Sequence, residues 1–202
     1  MKIKVCGITT AEQAREISEF SDYIGFIFHE DSPRFTSRSF PIMKGLKTGV
    51  FVNKPLEEVV KIAQLEKLDA IQLHGEERPE YCAALSQLKV IKSFGIDETF
   101  DFSKLQSYEG FVDLFIFDTK TPNHGGSGIS FNWDILNNYR LNTPFFLSGG
   151  INPNSISALR NFNHPMFCGI DLNSGFEGSP GMKNIQQLKT FIDAYKNELC
   201  EA

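Results

Sequence analysis

A thiol and a carboxyl group each close a short apolar run in this chain. Cys6 ends Ile3-Lys4-Val5-Cys6 and is followed by Gly7 and by Thr9 and Thr10, where a helix is expected to begin. Asp118 ends Leu114-Phe115-Ile116-Phe117-Asp118 and precedes a turn-rich stretch from Thr119 to Gly128. Both groups can exchange protons with a substrate, the thiol only if its thiolate is accessible. If the two runs are parallel strands of one closed barrel, Cys6 and Asp118 share a mouth and can act on opposite sides of one small molecule. The competing readings are an inert buried thiol and a carboxylate that caps the following loop.

Two further segments carry chemistry of a different kind. Ser148-Gly149-Gly150 and Asp171-Leu172-Asn173-Ser174-Gly175 each follow an apolar run near the end of the chain. Glycines let backbone N–H groups approach an anion closely, and the last two loops of a strand-helix barrel are its usual phosphate site. Arg34, in Ser32-Pro33-Arg34-Phe35, has a planar guanidinium suited to clamping a carboxylate, or it is a solvated loop residue. His74 and His124 have no histidine four residues away, and Cys6, Cys82, Cys168 and Cys200 form no CxxC. Neither a metal site nor a disulfide framework is expected.

These groups need a frame. Eight short apolar runs recur along the chain: Ile3 to Cys6, Tyr23 to Phe28, Thr48 to Val52, Ala70 to Leu73, Val90 to Phe94, Leu114 to Asp118, Pro144 to Ser148 and Met166 to Asp171. Their near-continuous hydrophobicity suits parallel strands covered by helices. Helical spacing falls between them, at Leu56-Val59-Val60-Ala63, at Ile156-Leu159, and at Ile185-Leu188-Phe191-Ile192-Tyr195. Asn53 and Asn152, each close before a proline, are expected to cap helices. Thr36 to Lys44 and Asp97 to Ser107 lack clean periodicity, so short or irregular connections are expected there. The pattern predicts one (β/α)8 barrel domain over residues 1–202, at the short end for that fold.

Composition narrows the function. The apolar fraction of 41% is ordinary for a globular domain, and no run approaches the ~18 apolar residues of a membrane span. No secretory signal is evident at the N-terminus, so the expected compartment is the cytoplasm. A net charge of -5 with no basic block disfavours nucleic acid, while a small anion can still be held by local donors.

Taken in order, Lys4-Val5-Cys6-Gly7-Ile8-Thr9, Gly25-Phe26-Ile27-Phe28 with Ser32-Pro33-Arg34-Phe35, Gly49-Val50-Phe51-Val52-Asn53 and Gln72-Leu73-His74-Gly75-Glu76 form a recognisable series. It continues through Asp118-Thr119-Lys120-Thr121-Pro122 with Gly125-Gly126-Ser127-Gly128, Phe131-Asn132-Trp133, Leu147-Ser148-Gly149-Gly150, and Asp171 to Gly175 with Pro180-Gly181. The series resembles the phosphoribosylanthranilate isomerase family of tryptophan biosynthesis. The resemblance implies a single-domain (β/α)8 TIM barrel of the ribulose-phosphate-binding type. It also implies a cofactor-free Amadori rearrangement of a small-molecule phosphoribosyl substrate, with Cys6 as general base and Asp118 as general acid. Arg34 would bind the substrate carboxylate, and Gly149, Gly150, Asp171, Asn173 and Ser174 the phosphate. Family members occur as monomers and dimers, which leaves a homodimer open. His29-Glu30-Asp31 departs from the family's aromatic-proline lead-in and brings two acids near Arg34; Asn173 replaces a common small hydroxyl residue. The alternatives are a histidine-pathway isomerase or related phosphosugar barrel enzyme, and a non-catalytic phosphometabolite-binding barrel. Cys6 argues against the related enzymes, which use other residues at that strand, and the Cys6–Asp118 pair against the non-catalytic barrel.

Overall fold

The computed structural model of the chain describes residues 1–42, 44–120 and 131–199. Eight strands form in the expected places: β1 (Lys2–Val5), β2 (Tyr23–Ile27), β3 (Leu46–Phe51), β4 (Ala70–Leu73), β5 (Lys89–Ile96), β6 (Leu114–Thr119), β7 (Phe145–Leu147) and β8 (Phe167–Leu172). Each pairs in parallel with the next, and β1 pairs with β8, so the sheet closes into a barrel. Alternate residues of a strand face opposite sides. Ile3 and Val5 therefore join the large core between barrel and outer layer, whereas Ala70, Ile91, Leu114, Ile116 and Phe146 make a smaller cluster.

Helices cover the barrel unevenly. α1 (Ala11–Ser18) starts at Thr10, whose hydroxyl accepts from the Gln13 N–H and satisfies one of the free amides of the first turn. α2 (Leu56–Glu66), α3 (Pro79–Ala83), α4 (Ile156–Asn161) and α5 (Ile185–Leu199) follow β3, β4, β7 and β8. Asn152 caps as expected, accepting from Asn154 in a box with Ser155 at the short 3-10 turn that leads into α4. Asn53 does not cap α2, whose N-cap is Pro55. Its side chain instead accepts from the Glu76 N–H at 2.7 Å, tying the ends of β3 and β4 together.

The two irregular connections behave as their composition predicts. The segment after β2 forms no helix among its described residues, and the one after β5 is a 3-10 helix, Phe102–Tyr108. Aromatic contacts anchor the connection after β5 in place of a helix face. Phe102 packs on Phe117 and Tyr139 with ring centroids 6.0 and 6.1 Å apart, and Phe100 packs on Phe94 at 6.1 Å. Such pairs add about 0.5–1.5 kcal/mol each beyond area burial. A two-stranded hairpin, β9 (Glu177–Ser179) and β10 (Met182–Lys183), stands between β8 and α5. No helix among the described residues is long and apolar enough to cross a membrane.

Candidate active site

The C-terminal ends of the parallel strands form one mouth, and the chemistry-bearing residues gather there. Cys6 follows β1 directly and is 4% exposed. Gly25 on β2 leaves room for its sulfur: a Cβ at that position would stand 2.7 Å from Sγ. Two residues earlier on the same face, Lys4 is completely buried and donates to both carboxylate oxygens of Asp171 at 2.9 Å. Lys4 and Asp171 are direct partners in the β1–β8 ladder. Burial pushes the Cys6 thiol above its ordinary pKa, a shift that Lys4 and Lys183 oppose and Asp171 reinforces. Burial also works against the Lys4 charge, yet Asp171 and Cys6 outweigh it and hold the ammonium protonated above the usual lysine range.

Asp118 lies in β6 near its C-terminal end, its side chain 14% exposed. Desolvation, aided by the nearby Asp171 carboxylate, lifts its pKa to about 6, against the opposing Thr119 N–H, which donates to Oδ1 at 2.7 Å. That amide contact gives partial substance to the capping reading, while the raised pKa suits a group that must carry a proton near neutrality. His74 follows β4 with Nε2 3.7 Å from Asp118 Oδ2 and Nδ1 3.1 Å from Gln72 Nε2, and Gln72 in turn donates to Ser93. No group of three or more potential metal ligands occurs among the described residues.

Gly149 and Gly150 follow β7 with φ of 78° and 69°, a left-handed backbone that glycine adopts without strain. A Cβ on Gly149 would stand 2.6 Å from Asp118 Oδ1, so this loop lies against the acid. Loops seven and eight also touch, since a Cβ on Gly175 would meet the Ile151 carbonyl at 2.2 Å. In loop eight, Asn173 Oδ1 accepts from Lys183 at 2.7 Å. Asp171, which opens this loop, gives both carboxylate oxygens to Lys4, so its side chain is no donor to an anion.

Arg34 is brought to the same mouth, its Cδ close to Gly7, but it is not a free loop arginine. Its Nε and Nη2 donate to the Glu177 carboxylate at 3.0 and 2.7 Å, and Lys183 donates to the same carboxylate. Burial of Glu177 is outweighed by Arg34 and Lys183, which keep its pKa below the ordinary glutamate value. Glu30 and Asp31 are exposed, the latter 94%, so the acids of the unusual lead-in point into solvent. The stretch from Thr121 to Ser130, with its glycines and His124, lies outside the described residues, as does Cys200.

Lys4, Glu177 and Lys183 are the site residues that sequence reasoning missed. A lysine inside the first apolar run, two positions before the cysteine, was the available signal for Lys4. Nothing local marked Glu177, whose importance comes from the two cations it bridges.

A closed parallel barrel with a thiol and a raised-pKa carboxyl at its C-terminal mouth, flanked by paired glycine-bearing loops after β7 and β8, defines a (β/α)8 barrel of the acid–base enzyme type. Residues 3–194 match the family model of N-(5'-phosphoribosyl)anthranilate (PRA) isomerase. An N-(5'-phosphoribosyl)anthranilate isomerase of Parabacteroides distasonis is 47% identical, the alignment covering 95% of this chain and 92% of that one. The enzyme of the same name from Phocaeicola vulgatus is 44% identical, covering 98% and 100%. Among solved structures, phosphoribosyl anthranilate isomerase from Thermotoga maritima superposes with a TM-score of 0.83 at 33% identity, covering 98% of this chain and 99% of that one. A phosphoribosyl anthranilate isomerase in complex with reduced 1-(o-carboxyphenylamino)-1-deoxyribulose 5-phosphate gives a TM-score of 0.80 at 29% identity, with the same coverage. The chain belongs to the N-(5'-phosphoribosyl)anthranilate isomerase family.

Proposed function

We propose that this protein catalyses the Amadori rearrangement of N-(5-phosphoribosyl)anthranilate to 1-(2-carboxyphenylamino)-1-deoxyribulose 5-phosphate, a step of tryptophan biosynthesis. Asp118 gives a proton to the furanose oxygen, which opens the ring to a protonated Schiff base. Cys6, as thiolate, removes the C2 proton, and the enolamine so formed tautomerises to the ketone. The protonated Schiff base is itself the electron sink for the second step. Each proton-transfer group is expected to contribute about 10²- to 10⁴-fold.

The observation that carries this reading is the Asp118 carboxyl, lifted to about 6 by burial at the mouth that also receives Cys6. An ordinary aspartate would be almost wholly ionised at neutral pH and would be a poor proton donor. Arg34 is assigned to the anthranilate carboxylate, and Gly149, Gly150, Asn173 and Ser174 to the phosphate; the contact between loops seven and eight supports a joint cradle. The partner is this small-molecule substrate. The Thermotoga maritima neighbour described as dimeric favours testing for a homodimer, by light scattering on the purified chain.

The deciding assay follows the fluorescence decrease of freshly made phosphoribosylanthranilate on adding purified protein without metal. Loss of fluorescence at catalytic protein concentration is the expected result. Inactivity there, with turnover of the histidine-pathway aminoaldose, would move the assignment to that isomerase; inactivity on both would leave a binding barrel.

A further inference from the structure

Cys6 and Asp118 hold their protons in the order opposite to the one their roles require. The buried thiol titrates above its ordinary range, while the carboxyl titrates at about 6. Between those values the abundant state is thiol with carboxylate. The reacting state, thiolate with carboxylic acid, has the same number of protons and is a minority form of the same ionisation level. Turnover then scales with the ratio of the two forms, and a fixed charge that acts more strongly on the sulfur than on the carboxyl sets that ratio.

Lys4 meets this description by position. It shares the inward face of the first strand with Cys6. It is completely buried, and both oxygens of its ladder partner Asp171 anchor its ammonium at 2.9 Å. The charge of that ammonium is the largest influence opposing burial at the Cys6 sulfur, and it is the last among the influences on Asp118. The other charged groups facing the sulfur are Asp171 from β8, which opposes ionisation, and Lys183 from β10, which favours it but is engaged by Glu177 and Asn173. Gly25 from β2 brings no charge. Asp118 faces Asp171, Lys4 and, at 3.7 Å, His74.

We infer that Lys4 is a positioning residue of the reaction, its Asp171-anchored ammonium favouring the charged form of the Cys6 sulfur that takes the substrate proton. This rests on Cys6 being the general base. A buried ion pair that served stability alone would gain nothing from standing two residues before the thiol on the same face. Replacing both partners of a buried ion pair by apolar groups is often neutral or stabilising, so stability is a weak reason for such a pair.

The test is a pH titration of the Cys6 thiolate by its ultraviolet absorbance, taken as the difference between the chain and its Cys6→Ser form. Lys4→Met is expected to move the midpoint to higher pH and to lower kcat by at least about tenfold, the equivalent of one pKa unit. KM is expected to stay within about twofold of the parent, since the substrate's anionic groups are held elsewhere. Asp171→Asn removes the opposing carboxylate and is expected to move the midpoint to lower pH. Opposite signs are the signature, because disturbed packing would shift neither midpoint or both in one direction. A Lys4→Met midpoint within about 0.3 units of the parent overturns the inference. Should Lys4→Met fail to fold, an Asp171→Asn midpoint that stays or rises overturns it instead. The thiol titrates whether or not the enzyme turns over, so failure of the base assignment would show separately, as turnover retained in Cys6→Ser.

Discussion

Two lysines, Lys4 and Lys92, are buried to the same extent in this barrel, at 0% and 1% exposure, and their surroundings do opposite things to them. Lys4 faces inward and gives two hydrogen bonds to one carboxylate, which keeps its pKa above the ordinary value against the cost of burial. Lys92 alternates with Ile91 and Ser93 on β5 and faces the outer layer. It donates to the carbonyls of Gly75, Ser93 and Leu73 at 2.7, 3.1 and 3.3 Å and lies 3.2 Å from Glu77. Burial pulls its pKa down, and Glu77 only partly compensates. Glu77 also accepts from the Asn53 and Gly75 amides, so Lys92 stands at the centre of the turn that presents His74. Equal burial thus supports two uses of the same side chain. Lys92 holds backbone in place, and Lys4 holds charge beside a thiol.

The sharpest break of this contrast would come from the residues that Lys4 serves. Cys6→Ala and Asp118→Asn are each expected to lower turnover by about 10²- to 10⁴-fold while still folding, as a cooperative thermal unfolding transition would show. Near-normal steady-state turnover in either variant would remove the chemical half of the comparison. The structural half rests on Lys92→Met, which leaves Glu77 buried without its cation and is expected to cost about 3–5 kcal/mol in urea unfolding. The Cys6 thiolate midpoint should not move in that variant; if it does, the two lysines are not separable.

Smaller effects refine the picture. Arg34→Ala is expected to cost about 2–3 kcal/mol in transition-state binding, or roughly 30- to 150-fold in kcat/KM, with Arg34→Lys between it and the parent because the charge stays and the fork is lost. An Arg34→Ala enzyme within about twofold of the parent would leave Arg34 as a partner of Glu177 only. The smallest effect concerns stability and pH. A carboxyl raised to about 6 stabilises the fold fully below its unfolded value and loses that contribution as pH climbs through 6. Asp118→Asn is therefore expected to be more stable than the parent at neutral pH, by on the order of 2 kcal/mol. The gain should shrink as pH falls and vanish below about pH 4. Chemical unfolding at several pH values checks it, and a gain independent of pH would contradict the raised pKa.

Much of the frame was legible because a strand buried on both sides has to be apolar almost throughout. All eight runs became strands, with ends displaced by a residue or two where pairing across the ladder decides the boundary. The irregular connections were also legible, since Thr36 to Lys44 and Asp97 to Ser107 offer no helical face. Asn53 misled because its local signature, an asparagine just before a proline, fits a cap. A loop 23 residues away claims its side chain instead. Asp171 was read with the glycine-bearing loop that follows it, and its pairing with Lys4 across the closed barrel carried no local signal.

The sequence by itself determined the strand order, the single barrel and the family resemblance, and it singled out Cys6 and Asp118 as the proposed proton-transfer pair, because these reside in local hydrophobicity and in residue types at fixed positions. Only the tertiary structure decided which charges meet. Lys4 and Asp171 are 167 residues apart and become neighbours when β8 closes on β1. Arg34 meets Glu177 across 143 residues, over the same mouth. Coulomb energy depends on distance and on the dielectric around the pair, and burial at the barrel mouth sets both.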